Sequence, residues 1–166
     1  MFCCFSTKKV KETKTETKTE TKDPNDPINW KDTILFIPPV KSGQVIKVYD
    51  GDTITIATKL PYDNSPLYRF QVRLRGLDAP EIKGKNEDEK TQAIVIRDIL
   101  SNMLLHKVVT LKNTGNDKYG RLLADVYIGE LNLNEWLLKE RYVVSYDGGT
   151  KIIPKSWAKY HLTGEY

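Results

Sequence analysis

Cysteine is nearly absent: the 166-residue chain carries two, Cys3 and Cys4, adjacent and close to the N-terminus. That excludes a disulfide framework and any Cys-x-x-Cys metal spacing, so the fold must hold by burial alone. No run approaches the roughly 18 consecutive apolar residues of a membrane span, and residues 1–6 are too short for the apolar core of a signal peptide. An intracellular protein is expected. No heptad or exposed apolar stripe is visible, which favours a monomer. A large charge excess is missing too: net charge is +4 and pI about 8.9, a weak preference for polyanionic partners.

What is present suffices for one domain and a tail. The hydrophobic fraction is 39% and the aromatic fraction 10%, enough for one ordinary core. Residues 8–22 repeat a Thr-Lys-Thr-Glu pattern without a large apolar residue after Val10, and such a stretch cannot offset the entropy of ordering itself. Through Asp32 seven lysines face six acids, so this arm is a spacer rather than a basic grip. Residues 1–33 are expected to be a disordered charged arm and 34–166 the folded domain. Pro24, Pro27, Pro38 and Pro39 punctuate the passage, with Trp30 and residues 34–37 expected to pack against the domain. Cys3 and Cys4 also invite S-acylation and membrane association, although Phe2 replaces the glycine that a myristoyl signal needs.

Alternating, β-branched residues at 44–48 and 53–57 flank Asp50-Gly51 and read as a hairpin. Residues 68–74 supply a third strand. Over 87–105, Ala93, Ile96, Ile99, Leu100, Met103 and Leu104 fall at helical spacing behind acids that suit a helix N-terminus. Residues 108–111 and 122–128 read as two further strands and 132–141 as a shorter helix. The order predicts an α+β, mainly β, fold: a five-stranded OB-fold barrel with one long helix after strand 3 and a shorter one after strand 5.

Two sharp loops, Asp50-Gly51-Asp52-Thr53 and Asp78-Ala79-Pro80-Glu81, place four acids at strand ends, with Arg73, Arg75 and Arg121 as nearby cations. Phosphodiester hydrolysis needs a positioned water, neutralisation of charge on phosphorus and help for the leaving oxygen, which a hard cation with arginine donors provides. Calcium accepts such oxygen ligands in irregular geometry. Each piece alone has a plain structural explanation in turn chemistry or solvated charge.

Together, over about residues 44–146, the ordered motifs Asp50-Gly51-Asp52-Thr53, Arg73-Leu74-Arg75-Gly76-Leu77-Asp78-Ala79-Pro80-Glu81 and Asp117-Lys118-Tyr119-Gly120-Arg121 resemble the staphylococcal-nuclease family. The resemblance implies a calcium-dependent nuclease that cuts DNA and RNA and leaves 3′-phosphate products. Asp52 and Asp78 would hold the Ca²⁺ ion with the carbonyl of Ala79, and Asp50 would be an acid just outside them. Glu81 would position or deprotonate the attacking water, and Arg73 and Arg121 would clamp the phosphate. Lys118, Tyr119 and Tyr146 match its substrate-side residues. Ala79 departs from the family's usual Thr, losing a hydroxyl and keeping the carbonyl, and after Tyr146 the chain leaves little room for a long final helix. The alternative is a nuclease-like module that binds nucleic acid or a protein partner without cutting.

Overall fold

The structure is a computed structural model and describes residues 26–166. The Cys3–Cys4 pair, with its proposed acylation, and the Thr-Lys-Thr-Glu repeat lie outside the described residues. One unit is Phe36–Tyr166. The described residues before it carry a single 3-10 turn, Trp30–Asp32, closed by the Asn29 N–H donating to Asp32 Oδ2 at 3.2 Å.

Five long strands make the barrel: β1 Ser42–Val48, β2 Thr53–Lys59, β3 Leu67–Leu74, β5 Val108–Asn116 and β6 Leu122–Ile128. The two-residue strand β7 Leu131–Asn132 extends this sheet beside β6, while β4 Leu77–Asp78 and β8 Val144–Ser145 form a separate two-stranded sheet, and the helices are α1 Glu87–Leu104, α2 Leu133–Lys139 and α3 Trp157–Thr163. Strands β1, β2 and β3 form an antiparallel meander, β5 joins the other edge of β1, and β6 pairs with β5. Parallel pairing of β3 with β6 then closes the sheet on itself. This is the expected OB-type barrel.

Alternation explains which faces turn inward. Leu122, Ala124 and Val126 of β6, Ile54 and Ile56 of β2, and Val72 and Leu74 of β3 are buried, each large side chain contributing roughly 1.5–3 kcal/mol. Helix α1 covers this core with Ala93, Ile96, Leu100 and Leu104, a stripe at helical spacing. Its N-cap, Asn86, accepts the Glu89 N–H at 2.8 Å, and Glu87, Asp88 and Glu89 complement the dipole.

Strand β5 runs to Asn116, beyond the expected stop at 111. Asn113 and Gly115 look like loop residues in the sequence, yet an irregularity between Lys112 and Gly115, with Asn113 at φ +51°, absorbs them without ending the ladder. A second irregularity in β1, between Val45 and Lys47, keeps both Val45 and Val48 buried. Such bulges bend strands, which a small closed barrel requires.

The C-terminal stretch holds two elements that periodicity did not announce. Strand β8 pairs with β4, setting Val144 opposite Asp78. Helix α3 docks on the start of α1, where the Asp88 carboxylate accepts the Trp157 N–H at 2.6 Å and the Ala158 N–H at 3.3 Å, while Trp157 and Tyr160 are buried with Val144. No helix among the described residues is long and apolar enough to cross a membrane.

Helix α2 is held to the barrel by a buried amide. Asn134 Oδ1 accepts the Val126 N–H at 2.9 Å, and Nδ2 donates to the carbonyls of Arg75 at 2.8 Å and Ala124 at 3.3 Å. Asn134→Ala deprives the Val126 N–H and the Arg75 carbonyl of this partner, while the Ala124 carbonyl keeps the Arg75 N–H, and urea unfolding is expected to show a loss of about 2–4 kcal/mol.

Candidate active site

The barrel's closure decides where the charged side chains meet. In β2–β3 pairing Thr53 lies opposite Arg73, and in β3–β6 pairing Arg73 lies opposite Leu123. The start of β2, the end of β3 and the approach to β6 are thus neighbours, and Asp52, Arg73 and Arg121 share one end of the barrel. Residue 78 arrives on β4, just after β3, fixed in place by β8.

Arg73 stands between two buried carboxylates. Its Nη1 is 2.7 Å from Asp52 Oδ2, an ion pair without hydrogen-bond alignment, and its Nη2 donates to Asp78 Oδ1 at 3.1 Å. Asp52 Oδ2 also accepts the Ala79 N–H at 3.1 Å, and Oδ1 accepts the Thr53 hydroxyl at 2.8 Å. Burial, then the charge of Asp50, pushes the Asp52 carboxyl up to about 6, against the opposing pull of Arg73, Thr53 and Ala79. Asp50 acts through the turn: its Oδ1 accepts the Asp52 N–H at 3.1 Å. Gly51 lets that turn press on its surroundings, because a Cβ there would lie 2.8 Å from the Ala79 Cβ and 3.0 Å from Ile96 Cγ2.

Glu81 is solvent-exposed on the loop that follows. The loop is pinned from α1, where the Glu89 carboxylate accepts the Glu81 N–H at 3.2 Å and the Lys85 N–H at 3.1 Å.

Arg121 is oriented by Asp117. The carboxylate accepts the Arg121 N–H at 2.9 Å, its Nε–H at 2.6 Å and the Tyr119 N–H at 2.8 Å. Burial works against the charge of Asp117, yet the hydrogen bonds from Arg121 and Tyr119 outweigh it and hold the carboxyl below its ordinary range. Gly120, at φ +81°, supplies the left-handed residue of this turn. The other end of the guanidinium reaches toward the site, with Nη1 3.4 Å from Thr53 Oγ1.

Asp50, Asp52, Arg73, Asp78, Ala79, Glu81, Tyr119 and Arg121 line one cavity of about 500 Å³. A second cavity of about 620 Å³ shares Arg73, Asp78, Tyr119 and Arg121 and adds Lys118 and Tyr146. Every residue singled out in the sequence for the site therefore lines one of two cavities with a common wall. Tyr119 is 73% exposed, and the Lys118 Nζ and Arg121 Cζ lie 5.1 and 5.6 Å from its ring centroid. Arg75 has a different job: it donates to the Asn113 carbonyl and lies near Asp125, tying β3 to the neighbouring strands.

One side chain that sequence reasoning passed over is Lys151. Its Nζ is 3.0 Å from Asp78 Oδ1 and 3.6 Å from Glu81 Oε1, and it lines both cavities. The only signal in the sequence was the tight Asp147-Gly148-Gly149 turn just after Tyr146. Among the described residues no group of three or more His, Cys, Asp or Glu side chains is arranged to hold a metal ion. The hard oxygens that do gather are those of two buried carboxylates, Asp52 and Asp78, facing Arg73.

Comparison with known proteins bears on the family of the chain. The model of the family described as staphylococcal nuclease homologue matches residues 71–155, about half of the chain. A Haemophilus influenzae protein named "Uncharacterized endonuclease" is 35% identical over 103 residues, 62% of this chain and 51% of that protein. A Staphylococcus hyicus protein named "Thermonuclease" is 32% identical over 99 residues, 58% of this chain and 54% of its own length. An Escherichia coli "Uncharacterized endonuclease" is 32% identical over 98 residues, 58% and 56% of the two chains. The chain spans about half the length of these curated relatives. With the barrel, the motif order and the family match in agreement, the chain belongs to the staphylococcal nuclease homologue family.

Proposed function

We propose that this chain is a calcium-dependent phosphodiesterase that hydrolyses DNA and RNA and leaves 3′-phosphate ends. One observation carries the reading: two buried acids bracket Arg73 in a cavity that also holds Glu81 and Arg121. A carboxyl raised to about 6 beside a guanidinium marks a pocket where desolvation and negative charge outweigh the attraction of its own cations. Hard oxygen donors of this kind suit Ca²⁺, which Asp52 and Asp78 would hold together with the Ala79 carbonyl. When bound, the ion supplies positive charge against the phosphoryl oxygens as they gain charge.

The chain's own groups account for the remaining roles. Glu81, exposed and pinned by Glu89, takes a proton from the water that attacks phosphorus. Arg73 and Arg121 donate to the phosphoryl oxygens, with Asp117 fixing the approach of Arg121. The P–O5′ bond breaks, the 5′ oxygen gains a proton, and the phosphate stays on the 3′ side. Tyr119 and Tyr146 offer ring faces to bases regardless of sequence, and a grip on phosphate and sugar accepts either nucleic acid.

Incubation with plasmid DNA and with single-stranded RNA is expected to give cleavage of both in Ca²⁺ and none in excess chelator. Intact substrate in both conditions would leave a module that binds without cutting. Glu81→Ala is expected to slow cleavage by a factor of about 100 or more, with the melting temperature and Ca²⁺ affinity unchanged. Undiminished cleavage would remove Glu81 from its role.

Asp52 gives a pH dependence whose sign is fixed. Its folded-state pKa of about 6 lies above the ordinary value of 3.8. In the ion-free protein, its contribution to stability is therefore full below about pH 4 and is lost as pH rises through 6. Ca²⁺ affinity should run the opposite way, rising through the same window as the carboxylate ionises. Thermal melts in chelator between pH 4 and 7 are expected to show that Asp52→Asn loses less stability than the wild type as pH rises.

A further inference from the structure

Lys151 reaches the site from the segment that follows β8, beyond a turn in which the Gly149 N–H donates to Asp147 Oδ1 at 3.0 Å and Gly148 sits at φ +99°. Its ammonium touches Asp78 Oδ1, the same oxygen that accepts Arg73 Nη2, and stands 3.6 Å from Glu81 Oε1. The side chain is 38% exposed, and it lines both cavities. Its Nζ is also 5.8 Å from the centroid of Tyr146. One carboxylate oxygen cannot serve a guanidinium, an ammonium and a divalent ion together, because like charges packed within a few ångström repel strongly in a half-buried pocket.

We propose that Lys151 is a built-in placeholder cation: it holds Asp78 and Glu81 while no divalent ion is bound, yields Asp78 to the ion, and then offers its ammonium to the substrate phosphate. This rests on the reading that Asp52 and Asp78 hold Ca²⁺. A compact ammonium on a flexible stem suits such an exchange better than a planar guanidinium fixed by two partners. Linkage makes the effect reciprocal: whatever the ion loses by displacing Lys151, it regains when Lys151 is removed.

The test is a calorimetric titration of Ca²⁺ into the full chain without substrate, comparing wild type, Lys151→Met and Lys151→Gln, with folding checked by circular dichroism. Both variants are expected to bind Ca²⁺ about tenfold more tightly than wild type and to melt at a lower temperature in chelator. Both should also cleave a single-stranded oligonucleotide at saturating Ca²⁺ with a KM raised about tenfold and a smaller change in kcat. Lys151→Arg, which keeps a competing cation, should stay near the wild-type Ca²⁺ affinity. Unchanged or weaker Ca²⁺ binding by Lys151→Met and Lys151→Gln, with wild type binding normally, overturns the placeholder role; a lower melting temperature without tighter binding reduces Lys151 to a structural strap. Absence of saturable Ca²⁺ binding in every protein, wild type included, overturns the calcium reading itself and this inference with it.

Discussion

The guanidinium of Arg73 between Asp52 and Asp78 is the interaction on which the site depends. Two carboxylates taken largely out of water lose hydration that only facing cations and hydrogen bonds can replace. Arg73 offsets this by facing both, at 2.7 and 3.1 Å, and in doing so joins the β1–β2 turn to β4. The compensation is incomplete, since burial and Asp50 keep Asp52 raised in spite of it. The site is therefore preorganised for positive charge.

The barrel was legible because its signals are local. Alternation at β1, β2, β3 and β6 and the helical stripe of α1 each arise from burial of one face, so boundaries came out within a few residues. The motifs placed Asp52, Asp78, Glu81, Arg73 and Arg121, and all five line one cavity. Where the reading fell short, a non-local partner decided the outcome. Strand β5 continues through Asn113 and Gly115 because β6 keeps pairing across the irregularity. Helix α3 is only seven residues long and exists against α1, through Asp88 and the burial of Trp157; nothing in its own periodicity demands it.

Lys151 was invisible for the same reason. A lysine after a Gly-Gly turn reads as a solvated charge, and only the β4–β8 ladder, which ties the C-terminal segment to Asp78, brings it to the acids. Asp117 belongs to a sequence motif that gives it no task of its own; the structure gives it one, as the group that aims Arg121. In both cases the type of side chain was readable and its addressee was not, because the addressee comes from a distant strand.

The parallel seam between β3 and β6 also sets the order of events in the life of the chain. Val72 meets Leu122 and Leu74 meets Ala124, so the two arginines at the mouth of the pocket become neighbours only when segments some fifty positions apart have found each other. Long-range closure of this kind comes late in folding. A nascent or partly unraveled chain thus carries the charged groups of this pocket in scattered form, and the pocket comes into being with the completion of the barrel rather than strand by strand.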